Sequence, residues 1–120
     1  GGFMIFGETK SDDGDVSGNN SWPGNSDIWM VKLNAEGEMQ WQQCYGGYGN
    51  ERLYKGVIQK SDHNWIVAGR VSNNSYDVDC NLHGYDDFWI FEIKDTTVVI
   101  SQTPQNKTLK VYQNPQLIKQ

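Results

Sequence analysis

Alanine and leucine are scarce in this 120-residue chain, and their scarcity argues against a mainly helical fold. Basic residues are few as well, ten Lys and Arg against fifteen Asp and Glu, for a formal net charge of −5. Those ten are scattered, so the counterion release that drives nucleic-acid binding has no clustered cations to work with. No apolar run approaches the ~20 residues that span a bilayer, and no charged-then-apolar leader precedes the first strand. Gly1 to Gly7 already reads as a turn running into a strand, which leaves room for a leader upstream. The two cysteines, Cys44 and Cys80, lack the paired spacing of a zinc site and are too few for a disulfide framework. A bridge between them stays open, subject to close Cα approach. The two histidines, His63 and His83, sit in turn-like segments, and there is no Gly-x-Ser-x-Gly, His-Glu-x-x-His or phosphate-cradling glycine loop. No catalytic residue is expected within the chain.

What is present is the composition of short strands and tight turns: thirteen glycines, fifteen aromatics and eleven asparagines. With 37% hydrophobic residues the core is expected to be modest.

The chain also repeats itself. Gly2 to Gly7 aligns with Asn64 to Gly69, Asp15-Val16 with Asp77-Val78, and Asn19 with Asn81, each 62 positions apart. Asp27 to Leu33 then aligns with Asp87 to Ile93 at an offset of 60, so the second copy is two residues shorter in the loop between. Four strands are expected in the first copy: Phe3 to Glu8, Ile28 to Asn34, Met39 to Tyr45 and Leu53 to Lys60. Asn34-Ala35-Glu36-Gly37 reads as a hairpin turn, Gly46 to Asn50 separates the third strand from the fourth, and Ser61 to Asn64 leads into the next copy. The runs Ile28–Leu33 and Phe88–Ile93 are nearly continuously apolar and suit a sheet covered on both faces. The strand at Met39–Tyr45 mixes polar and aromatic positions, as suits a rim. This pattern predicts an all-β fold of four-stranded antiparallel, propeller-blade-like repeats of about 60 residues, with one complete unit and half of another. The expected divisions are a first repeat over 1–63, a partial second over 64–95, a strand and linker over 96–110, and a further segment over 111–120. A repeat of this kind relies on its neighbours, so further blades of a longer chain, or self-association, are implied.

Over about residues 1–95 the order of elements resembles the repeats of large secreted β-propeller-type proteins of Bacteroidota. The resemblance is carried by Ile66-Val67-Ala68-Gly69, the loop Asp13 to Asn19, the strand Asp27 to Asn34, the Gly-x-x-Gln-Trp-Gln segment Gly37 to Gln42, and the turn Gly46-Gly47. Val111-Tyr112-Gln113-Asn114-Pro115 resembles the opening of a type IX secretion sorting domain, with Gln113 where proline is usual. The resemblance implies a secreted or cell-surface location.

Two loop chemistries follow from the residues. Asp13-Gly14-Asp15-Val16-Ser17-Gly18 matches the first half of a calcium loop; its twelfth position falls on Gly24, so a site needs Asn19 or Asp27 to complete the oxygen shell. Asp13, Asp15, Ser17, Asn19 and Asp27 are the candidate calcium ligands, and the same side chains also suit Asx turns that satisfy backbone N–H groups. Trp22, Tyr48, Tyr76 and Tyr85 are loop aromatics, which either pack on a blade edge or meet a glycan or surface protein. The function expected is a non-catalytic extracellular scaffold or adhesive binding module. The alternative is a fragment of a propeller-type glycan-degrading enzyme whose catalytic carboxylates lie in other blades.

Overall fold

A computed structural model of the chain describes residues 1–96, 98–102, 107–111 and 116–118. These residues form strands and turns with no helix, as the composition predicts. Strands β1 (Phe3–Thr9), β2 (Asp27–Leu33) and β3 (Met39–Tyr45) make one antiparallel sheet in that order. Strands β4 (Arg52–Ser61), β5 (Asn64–Val71) and β6 (Asp87–Lys94) make a second, extended at the β6 edge by the three-residue β9 (Gln116–Ile118). The pair β7 (Val98–Gln102) and β8 (Lys107–Val111) stands apart as a ribbon. Thus β7 covers most of the strand expected after Lys94, and β8 lies in the stretch read as linker. Tyr112 to Pro115, most of the sorting-like segment, fall outside the described residues.

The sequence repeat is reproduced as a repeat in strand register. Gly7 stands opposite Trp29 and Gly69 opposite Trp89; Phe3 faces Leu33 and Trp65 faces Ile93; Thr9 faces Asp27 and Val71 faces Asp87. Every position shared by the two copies therefore points to the equivalent side of its sheet, because side chains alternate along a strand.

The expectation of four strands per copy in one sheet needs correction. The fourth strand of the first copy, β4, pairs with β5 of the second, so the first sheet has three strands. The reason is local. Ser61 pairs with Asn64 across only Asp62 and His63, a two-residue hairpin that closes β4 onto β5 at low entropic cost. The turn taken as the boundary between copies is thus a hairpin, and the chain crosses between sheets at Gly46 to Glu51 instead.

The two sheets pack face to face. Ile28, Met30, Trp41 and Tyr45 of the first sheet share a core with Val67, Val71, Trp89, Phe91 and Ile93 of the second, and Val78 of the second long loop joins them. Full burial of such side chains contributes roughly 1.5–3 kcal/mol each. Gly69 is required there, since a Cβ would lie 2.9 Å from Ile28 Cδ1 and 2.6 Å from the Arg52 carbonyl. Coverage of both faces holds only in part for β2, where Ile28, Met30 and Val31 are buried but Trp29 and Leu33, on the face that carries Ile5, are half-buried. It fails for β6, whose Trp89, Phe91 and Ile93 are buried while Phe88 and Ile90 stand in solvent. Strand β3, expected at a rim, is an edge strand.

Candidate functional site

The crossing from Gly46 to Glu51 is clamped between the long loops of the two copies. On one side Trp22 N–H donates to the Tyr48 carbonyl at 3.2 Å, Asn25 Nδ2 to the same carbonyl at 3.2 Å, and Glu51 N–H to the Ser26 carbonyl at 2.7 Å. On the other, Gly46 N–H donates to Asp77 Oδ2 at 3.1 Å, Tyr48 N–H to Ser75 Oγ at 2.8 Å, and Asn50 N–H to Ser72 Oγ at 2.8 Å. Backbone passes this close only because the crossing is glycine-rich. A Cβ on Gly47 would lie 2.5 Å from Ser75 Oγ, and one on Gly49 would lie 2.6 Å from Ser72 Oγ.

This clamp assembles an exposed aromatic row. Trp22 and Tyr48 have ring centroids 5.7 Å apart with planes tilted 46°; Tyr48 and Tyr76 are 4.9 Å apart and edge-on at 82°. Tyr76 Oη donates to Tyr48 Oη at 3.1 Å. Tyr76 takes a φ of 51°, a left-handed conformation uncommon for a bulky residue, so backbone strain is accepted in placing its ring. Three of the four loop aromatics singled out from the sequence thus come together, although they are remote in the chain. Tyr85 does not join them; it stands almost wholly in solvent in the second long loop.

The five candidate calcium ligands take part in different local contacts. Asp13 accepts from the Ser11 hydroxyl, and its carbonyl accepts from Val16 N–H at 3.1 Å. Ser17 Oγ accepts from Gln42 Nε2 at 2.6 Å. Asn19 Oδ1 accepts from the Ser21 N–H and hydroxyl, while its Nδ2 donates to the Thr9 and Ser11 carbonyls. Asp15 is exposed, and Asp27 lies buried beneath the loop with Asn20 N–H donating to its Oδ2 at 2.8 Å. Among the described residues no three His, Cys, Asp or Glu side chains converge as a metal ion requires. Asp12, outside the candidate set, closes the turn by accepting from Gly18 and Asn19 N–H groups at 3.0 and 3.3 Å. Both cysteines are free thiols, and burial pushes that of Cys44 up to about 12.

One feature of this region had no distinct sequence signal. Asp27 and Glu51, both fully buried, meet under Gly46, where a Cβ would lie 2.4 Å from Asp27 Oδ1 and 2.6 Å from Glu51 Oε2. Gly47 N–H donates to Glu51 Oε2 at 3.0 Å, while Asp27 Oδ1 and Glu51 Oε1 are buried without a hydrogen bond of good geometry. Burial raises the Asp27 carboxyl to about 7, with Glu51 and Asp77 adding to the effect, and burial also raises Glu51. Burial thus favours the protonated form in this pair of carboxyls. The spacing of Gly46, Gly47 and Gly49 was the pair's only trace in the sequence.

Comparison with known protein families, with characterised proteins and with solved structures gives no match for this chain.

Proposed function

We propose that the chain is a non-catalytic binding module of a larger secreted repeat protein, and that the row Trp22, Tyr48 and Tyr76 is its contact surface for a glycan. The observation that carries this reading is the convergence of three exposed rings from three separate loops on one clamped crossing. Flat apolar rings stack on the C–H faces of sugars and lose little side-chain entropy in doing so. Asn25 and Ser75 hold the Tyr48 backbone in place beneath its ring. Rigid sheets presenting irregular loops are a common design for recognition.

The pairing of β4 with the next copy supports a propeller blade as the underlying unit. Overlaying the two sheets by their shared register places β4 before β5 and the counterpart of β3 at the β6 edge, where the short β9 pairs in this chain, which makes four strands. Location outside the cell rests on the sequence resemblance alone.

The test is a glycan array probed with the chain and with Trp22→Ala and Tyr76→Ala. Binding of particular glycans by the parent, lost in both variants while the fold is retained, supports the reading. Equal binding by parent and variants, or none by the parent, refutes it.

A further inference from the structure

The faces that the two sheets leave open are counterparts of the faces they bury against each other. Ile28 and Met30 are fully buried against the second sheet, yet Phe88 and Ile90, which occupy the same repeat positions, are 86% and 57% exposed. In the opposite direction Trp65 and Val67 are 4% and 0% exposed, whereas their counterparts Phe3 and Ile5 are 58% and 47% exposed. Because the strand registers match, the exposed members have the same orientation on their sheets as the buried ones. Exposed Ile58, opposite Ile66 in the β4–β5 ladder, widens the apolar surface around Phe88 and Ile90. Large apolar residues grouped on an open sheet face mark an association surface.

We propose that a second copy of this chain docks on this surface head to tail. The face of its first sheet that carries Phe3 and Ile5 lies on the face of the second sheet that carries Phe88 and Ile90. The internal packing supplies the template, because within one chain the first sheet already presents its Ile28 and Met30 side to the Trp65 and Val67 side of the second. Continuing that order outward joins two different surfaces, so the contact is heterologous and repeats into an open stack or a closed ring. This proposal stands apart from glycan binding, and neither depends on the other.

Sedimentation velocity of the intact chain, Ile5→Glu, Ile90→Glu and their equimolar mixture tests it. Both positions face solvent, so the variants keep the core, and circular dichroism verifies their folding. The parent is expected to associate with rising concentration. Each variant alone should associate at least about tenfold more weakly, since either change buries an unpaired carboxylate in every contact. The mixture should form dimers and nothing larger, because Ile5→Glu retains the Phe88 face and Ile90→Glu retains the Phe3 face. A parent that stays monomeric at high concentration overturns the proposal. So does sensitivity to only one of the two substitutions, or a mixture that fails to form dimers, each of which describes a like-with-like contact or none.

Discussion

Asp27 and Glu51, both fully buried, meet beneath Gly46 at the point where the chain passes from one sheet to the next. Burial holds Asp27 neutral up to about pH 7, whereas in the unfolded chain it ionises near 3.8. Between those values the folded state binds more protons than the unfolded, so stability falls as pH rises through that window. The loss is up to about 1.4 kcal/mol per pH unit. Below the window this contribution is fully present. Chemical denaturation from pH 4 to pH 8 measures the slope. Asp27→Asn keeps an acceptor for Asn20 N–H and offers a neutral donor to Glu51, so most of the slope should disappear and the variant should exceed the parent at pH 8. A parent whose stability is flat over this range contradicts a raised Asp27 carboxyl.

Gly46→Ala tests the same junction by geometry. The added methyl would fall within contact distance of both carboxyls, and neither is the end of a free surface chain that can swing away. Overpacking of this kind costs about 1–3 kcal/mol. Gly14→Ala strains a turn whose Cβ direction is open, with a φ of 62° as its one difficulty, and should cost less. Equal midpoints for the two variants in urea would show that the crossing is not tightly packed.

The calcium reading of the first Asp/Gly loop has a direct test. Ser17 and Asn19 are engaged in side-chain hydrogen bonds and Asp27 is buried, which leaves Asp15 and the second carboxylate oxygen of Asp13 as the accessible oxygens. Two carboxylates on a surface loop give weak affinity, and calcium at its dissociation constant then adds only about 0.4 kcal/mol. Scanning calorimetry should show a small upward shift with millimolar calcium that Asp15→Ala removes. An unchanged parent assigns the loop wholly to turn chemistry.

Periodicity and self-similarity made the strands legible: the turn residues at Asn34 to Gly37 and the apolar run from Ile28 to Leu33 specify local structure. Which strands pair was less legible, because Ser61 to Asn64 reads equally well as a hairpin turn or as a border between repeats. Trp22, Tyr48 and Tyr76 could be picked out as loop aromatics by composition. Their meeting depends on hydrogen bonds between segments far apart in the chain, which no local pattern encodes. Glu51 carried no signal of its own, since its burial depends on the glycines that precede it and on Asp27 arriving from another strand.

The most direct measurement of the central claim is a glycan titration followed by two-dimensional amide and indole NMR, using the best ligand from the array. The indole N–H of exposed Trp22 and the backbone amides of Tyr48 and Tyr76 are predicted to shift together and saturably. The indoles of buried Trp41, Trp65 and Trp89 are predicted to stay in place. Shifts centred on another surface, or a spectrum unmoved at saturating sugar, would contradict the assignment of the aromatic row as the binding site.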